Sequence, residues 1–559
     1  MMPKLTKWIK FPLYILIGFV VLVITLFVYL LSVALVSAPI PDDLSSLELE
    51  RKQIDTNSYV IGNNWIRKSN TGIWEMYVEG EAFERGVING KLSSELVFEQ
   101  EDAFNDQICK MVPSSFYRGF LKYLIAWFNR DLDENIRDEY KLEIYGVSKS
   151  ASPKFDYIGP AYQRIMNYHA AHDIGHALQN LALVGCSSFA TWNDKSKDKK
   201  LIVGRNFDFF VGDKFAENKI ALFVNPDQGY KFMMVTWGGM TGVVSGMNME
   251  GLSITLNAAK SDIPSKSATP VSLLAREILQ YAKNIDEAIV IAKKRKVFVS
   301  ESFLIASAYD NKAVNIEITP DTVGIYSPEG NYIICTNHYE SEYLAKQQLN
   351  KEHIVESASL YRHERIEELL ANIPENTPEQ TVSVLRNQLG KGDEFIGLGN
   401  EKAINQLICH HSIVFEPHSK KVWLSTSPWQ LGKFVSYDLN ELFAMKGLTQ
   451  NSELYDTLNT IQADTFMNTL EYNQFLLFRK MKEQITKGGT FDVNRLIKLN
   501  PEYYHTYVLA GDYMFREKDF LNAKKFYEIS LKKEIATKTE EYYIVAQIEK
   551  CNIENNKKK

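Results

Sequence analysis

The sequence predicts an α+β protein with antiparallel sheets, and three observations carry that expectation. From Leu201 onward, short apolar runs and period-two alternation recur at 201–203, 220–224, 232–237, 252–256, 313–318 and 332–335, the pattern of buried and half-buried strands. Amphipathic helical segments at 272–282 and 285–293 interrupt them. Strands are followed by helices and then again by strands, without the strict strand–helix alternation of a parallel sheet. The 559 residues exceed one compact core, so two or more units are expected.

Taken in order, the chain begins with Lys4, Lys7 and Lys10 and then carries no charge until Asp42. Residues 11–38 are apolar, longer than the ~20 residues that cross a bilayer and than the apolar core of a cleavable signal. Residues 1–41 are therefore expected to be a transmembrane anchor, or an uncleaved signal; a cleavage site at Val36-Ser37-Ala38 runs into Pro39. Lysines before the span and Asp42, Asp43, Glu48 and Glu50 after it place the rest of the chain outside the cytoplasm.

Residues 42–185 read as a helical pro-region, or α subunit, with an alternating strand at 74–80 and helical spacing from 134 to 183. Residues 186–445 hold the strands of the core, and no strand is expected after Leu439. In 446–559, Asn500-Pro501 opens a unit in which Tyr507, Ala510-Gly511, Ala523 and Tyr527 have tetratricopeptide spacing. A generic helical hairpin is the alternative. One repeat cannot bury its own face, so it is expected to pack on helices from 452–486 and 538–550. Such a region suits a protein partner.

Hydrophobic content of 45% and charged content of 24% are those of a globular protein. A formal charge of −6 gives no basic face for nucleic acid. The five cysteines, Cys109, Cys186, Cys335, Cys409 and Cys551, are too few for a disulfide framework, although Cys335 and Cys409 are available for one bridge. His169, His172, Asp173 and His176 share one helical face; their place shortly before Cys186 favours packing over metal binding. Cys409-His410-His411 lies on an expected strand, where side chains alternate faces. No metal and no cofactor is expected.

The chemistry centres on Cys186, in Leu183-Val184-Gly185-Cys186-Ser187-Ser188-Phe189, followed by Gly204-Arg205-Asn206-Phe207-Asp208. A cysteine is often just a small buried hydrophobe, and a thiol attacks well only as thiolate. No histidine–asparagine dyad of the papain kind flanks it. Cutting the Gly185–Cys186 bond would supply a free α-amine, whose pKa of about 8 suits a general base. Gly185, lacking a side chain, leaves its carbonyl approachable.

These two motifs resemble those of the autoproteolytic N-terminal-nucleophile acyltransferases related to isopenicillin-N acyltransferase, relatives of choloylglycine hydrolase and penicillin V acylase. Gly246-Met247-Asn248-Met249-Glu250-Gly251-Leu252 leading to Asn257, Cys335-Thr336-Asn337-His338, and Ser359-Leu360-Tyr361-Arg362-His363-Glu364-Arg365 follow in the family's order. The resemblance runs from about Gly72 to about Leu439. It implies a four-layer αββα sandwich, cleavage between Gly185 and Cys186, and an acyl-thioester on Cys186. It also implies that Asp208 holds the α-amine, Arg205 favours the thiolate, and Asn257 and Asn337 supply an oxyanion donor and orient the nucleophile. Arg362 would be the last active-site arginine, with Arg365 a competing alignment one helical turn on. The expected activity is hydrolysis or acyl transfer at the amide of a small N-acylated or lipid-like substrate. The alternative is an inactive core whose C-terminal helices bind a protein.

Overall fold

The computed structural model describes residues 7–34, 36–130, 132–178, 185–209, 212–260, 267–448 and 452–557. The strands, in chain order, are β1 Lys52–Asp55, β2 Ser58–Ile61, β3 Asn64–Lys68, β4 Trp74–Gly80, β5 Ser187–Thr191, β6 Ile202–Phe207, β7 Ile220–Pro226, β8 Phe232–Thr236 and β9 Ser245–Asn248. They continue as β10 Leu252–Ala258, β11 Glu301–Ser307, β12 Lys312–Ile318, β13 Val323–Tyr326, β14 Tyr332–Cys335, β15 His411–Glu416, β16 Lys421–Ser425, β17 Phe434–Asp438 and β18 Asp456–Ile461. One sheet runs β1-β2-β3-β4-β7-β8-β9-β10-β11-β12-β13, and the second runs β14-β5-β6-β15-β16-β17-β18.

Period two along the strands sorts their side chains into layers. In β7, Leu222 and Val224 face a core shared with helices, while Ala221 and Phe223 face the second sheet. In β11, Phe303 and Ile305 take the helix side and Leu304 and Ala306 the sheet side. The helix Val271–Tyr281 brings Leu274, Ala275, Ile278 and Leu279 onto the first face. Across the second sheet, Phe189 and Ile202 meet Ile366, Leu370, Val382 and Leu385 of the helices Ser359–Ala371 and Pro378–Leu385. Helices, sheet, sheet, helices: the expected αββα layering is present.

The segment before Gly185 is woven into this core. It supplies β1–β4, and β4 joins β7 in a parallel pair, Trp74↔Ile220 through Gly80↔Pro226. The expected single strand at 74–80 is thus the innermost of four.

The N-terminal expectation is corrected. A helix spans Lys7–Ala34, but among the described residues no helix is long and apolar enough to cross a membrane. Phe27 instead leans on Tyr123 of the helix Ser115–Phe128, ring centroids 6.3 Å apart.

Beyond Leu439 a strand does occur, β18, paired to β17. The helices Tyr504–Arg516 and Phe520–Ser530 form a hairpin with Ala510 and Ala523 buried at its seam. A Cβ at Gly511 would lie 2.6 Å from the Tyr527 ring, so only glycine permits this approach. As expected, the hairpin shares a core with Leu470–Thr486 and Lys538–Lys557, and that core also takes in Leu398, Leu407 and Cys409.

Candidate active site

Cys186 is fully buried at the head of β5. Its neighbour Ser188 pairs with Arg205 on β6 and with Cys335 on β14, so the second sheet brings three motifs together. Arg205 Nη2 lies 3.8 Å from Cys186 Sγ. The rest of that guanidinium donates to the Val244 and Leu256 carbonyls and to Ser245 Oγ, which fixes it beneath the thiol. Burial pushes the thiol up to about 11 and outweighs the pull of Arg205. In the uncleaved chain Cys186 is therefore a neutral thiol at pH 7, despite its cationic neighbour.

Asp208 ends the β6 segment, and its carbonyl accepts from Gly185 N at 3.1 Å. Its carboxylate is fully buried, and among the described residues no nitrogen or oxygen donor reaches either oxygen. The Cys409 thiol is a weak donor acting on it. Burial raises the Asp208 pKa to about 7 against the attraction of Arg362 and Arg205. Asn206, between them on the strand, points the other way and donates to Leu385 and Ile404 carbonyls at 2.8 and 3.0 Å.

Arg362 lies on the helix Ser359–Ala371. Its Nη1 donates to the Gly185 carbonyl at 2.8 Å, the Cys186 carbonyl at 2.6 Å and Ser187 Oγ at 2.9 Å, and its Nη2 to Asn337 Oδ1 at 2.8 Å. Burial lowers its pKa to about 10. Arg365, one turn on, pairs instead with Glu368 and Asp393, so of the two competing arginines it is Arg362 that meets Cys186.

The asparagines frame the site. Asn257 Nδ2 donates to the Cys335 and Thr336 carbonyls at 2.7 and 3.1 Å, and its Oδ1 accepts from Ser188 Oγ. Asn337 Nδ2 donates to the Ala258 carbonyl at 2.7 Å. Both Asn257 N–H groups are thus spent on backbone, tying the ends of β10 and β14, and are not available to the Gly185 carbonyl before cleavage. The second donor on that carbonyl is Gln406 Nε2, at 2.8 Å. Sequence reading missed it; the bare Gly185 signalled a close approach but not by what.

Of the histidine face, His169 and Asp173 are described, and both are buried in the packing. His169 is buried, donates from Nδ1 to the Ile165 carbonyl at 2.8 Å and accepts from Thr241 N at 2.9 Å. Burial lowers its pKa to about 4. Asp173 accepts from Val271 N, at the start of the helix Val271–Tyr281; the His172 and His176 side chains, like Leu183 and Val184, lie outside the described residues. Among the described residues no group of His, Cys, Asp and Glu is arranged to hold a metal ion. Cys335 and Cys409 are both free and buried, so the available bridge is not formed.

Residues 192–427, less than half of the chain, match the family described as Acyl-coenzyme A:6-aminopenicillanic acid acyl-transferase. The match includes Arg205, Asp208, Asn257, Asn337 and Arg362 and begins just after Cys186. The matched segment is thus similar to that acyltransferase family. An uncharacterised protein of Archaeoglobus fulgidus is 25% identical over 246 residues, 42% of this chain and 41% of that protein. The chain therefore matches well under half the length of that curated relative.

Similar solved structures include a Caenorhabditis elegans ortholog of N-acylethanolamine-hydrolyzing acid amidase, 17% identical with a TM-score of 0.30 over 42% of this chain and 93% of that one. A mutant conjugated bile acid hydrolase from Clostridium perfringens is 12% identical, with a TM-score of 0.33 over 46% and 93%. Penicillin V acylase from Agrobacterium tumefaciens is 14% identical, with a TM-score of 0.31 over 46% and 87%. The family match ends before the C-terminal helices, whose tetratricopeptide-like spacing rests on their own residues alone.

Proposed function

We propose that the chain is a self-processing cysteine amidohydrolase or acyltransferase that cleaves its own Gly185–Cys186 bond. It then acts on the amide of a small N-acylated or lipid-like substrate through an acyl-thioester on Cys186. The observation that carries this reading is the buried Asp208 carboxylate, which among the described residues lacks a nitrogen or oxygen donor, beside the very peptide whose cleavage would create an ammonium group. A buried carboxylate without a donor is costly, and a new α-ammonium on Cys186 would satisfy it. The pair would raise the amine's pKa and lower that of Asp208, giving an amine able to accept the thiol's proton. Arg205, held under Sγ, would stabilise the thiolate once opening of the site relieves its burial.

Acyl transfer to water or to an amine uses the same thioester, so substrate choice falls to the acyl pocket and the acceptor. The test is N-terminal sequencing of purified wild type and Cys186→Ala, with amide release assayed on a panel of N-acyl amides. A wild-type chain that stays whole and is fully active would reject the reading. Placement outside the cytoplasm is a separate proposal, resting on the lysines before and acidic residues after the N-terminal apolar run. Protease added to intact cells should digest the catalytic part. A role for the C-terminal helices in binding a partner protein also remains a proposal; within the chain they back the loop described next.

A further inference from the structure

The carbonyl of Gly185 has two side-chain donors, Arg362 Nη1 and Gln406 Nε2, each at 2.8 Å. That is the distance at which preorganised donors stabilise an oxyanion. We infer that Gln406 is a catalytic residue of self-cleavage, forming with Arg362 the oxyanion clamp on the scissile carbonyl. The inference rests on the self-cleavage proposed above.

Three features show that Gln406 is built into this place. It is buried, and a Cβ at residue 185 would fall 2.4 Å from its Nε2 and 2.8 Å from its Oε1. The amide thus closes over Gly185 so tightly that a larger residue there would have to displace it. Its loop, leading into β15, is pinned at several points. Asn206 of β6 holds the Ile404 carbonyl, Asn405 N donates to the Asn387 carbonyl at 2.9 Å, and Asn405 Oδ1 accepts from Leu407 N at 3.0 Å. Finally, Leu407 sits at φ 56°, a left-handed conformation unfavourable for a bulky residue. Its side chain is buried in the core of the C-terminal helices. Strain of this kind persists only where surroundings over-determine it, and here it aims the preceding side chain at Gly185.

The step balances as follows. Cys186 Sγ bonds to the Gly185 carbonyl carbon, and the C=O electron pair moves onto oxygen, where Gln406 and Arg362 hold it. Collapse breaks the C–N bond; the proton lost by the thiol ends on the Cys186 nitrogen, leaving a thioester and a free amine. Water then cleaves the thioester to give the Gly185 carboxylate and the Cys186 thiol.

The test uses the full chain, pulse-labelled in cell-free translation, comparing wild type with Gln406→Met and the isosteric Gln406→Glu. Cleavage in both variants should slow by on the order of 10²–10³-fold, the usual effect of losing one oxyanion donor. Hydroxylamine, which intercepts thioesters, should not restore the rate, because thioester formation itself is impaired. A variant cleaving at the wild-type rate would overturn the clamp while leaving self-cleavage intact. Restoration by hydroxylamine would also overturn it, moving Gln406 to thioester hydrolysis. Loss of folding in both variants, read by circular dichroism, would make Gln406 a loop anchor and overturn it too. A wild type that never cleaves would instead remove the self-cleavage reading itself.

Discussion

Two of the buried clusters of arginine and carboxylate in this protein have opposite electrostatics. At the seam between the N-terminal segment and the core, Glu143 accepts from Arg85 at 2.8 Å and from Arg276 at 3.2 Å. Burial pushes Glu143 up, but Arg276 and Arg85 outweigh it and hold the carboxyl below its ordinary range. Burial likewise lowers Arg85, and Glu143 more than reverses it. Around Cys186 the same residue types leave Asp208 raised to about 7 and both Arg205 and Arg362 lowered, because burial wins. The arginines there spend their donors on carbonyls, hydroxyls and the thiol rather than on the carboxylate. A paired cluster holds two parts of the chain together; an unpaired one leaves a carboxylate ready for the ammonium that the proposed self-cleavage would create.

The sharpest way to break this contrast is Cys186→Ala. Cleavage and amide turnover should both vanish, checked by gel and by amide release, while the chain stays folded. Asp208→Asn comes next, with turnover falling on the order of 10²–10⁴-fold, as for a lost base partner. Without the carboxylate the amine's pKa drops, so the acid limb of the rate–pH profile should move to lower pH. A rate within a few-fold of wild type would make Asp208 as structural as Glu143.

Glu143→Gln should do the reverse. It removes the carboxylate that Arg276 pairs with and leaves Arg85 to Glu139 and Asp227, costing about 3–5 kcal/mol in urea unfolding, while the folded fraction keeps its chemistry. Self-cleaved fragments should still co-purify, because β4 remains paired with β7.

The smallest effect concerns pH. Asp208 titrates near 7 in the folded precursor and near 3.9 unfolded. Between those values the folded chain holds a proton that the unfolded chain has lost, so stability falls as pH rises. In a Cys186→Ala background, Asp208→Asn should remove that loss. The double variant should be more stable than its parent by up to a few kcal/mol above pH 7, with no difference below about pH 4. Equal stability at both pH values would show that Asp208 is not a buried, unpaired acid in the precursor.

Much of the site is legible along the chain because strands and motifs are local. Cys186 at the head of a strand, Arg205 and Asp208 on the next, and Asn337 closing β14 all follow from short patterns. Asn206 turning away from Arg205 follows from period two alone. The expected membrane span rested on composition, and among the described residues no helix is long and apolar enough to cross a membrane.

What the sequence by itself determined was therefore the strands of the core, the faces their side chains take and the residue types that stand near Cys186, since each depends on patterns within a few residues, while the order of the layers was implied by the family resemblance. Only the tertiary structure decided which groups meet. Gln406 reaches Gly185 across 221 residues and Arg362 across 177. Four strands from before Gly185 enter the larger sheet, and burial, not charge sign, sets the pKa of Cys186 and Asp208. Partners at such separations, and the loss of water around them, leave no periodic trace in a chain, because both are properties of packing.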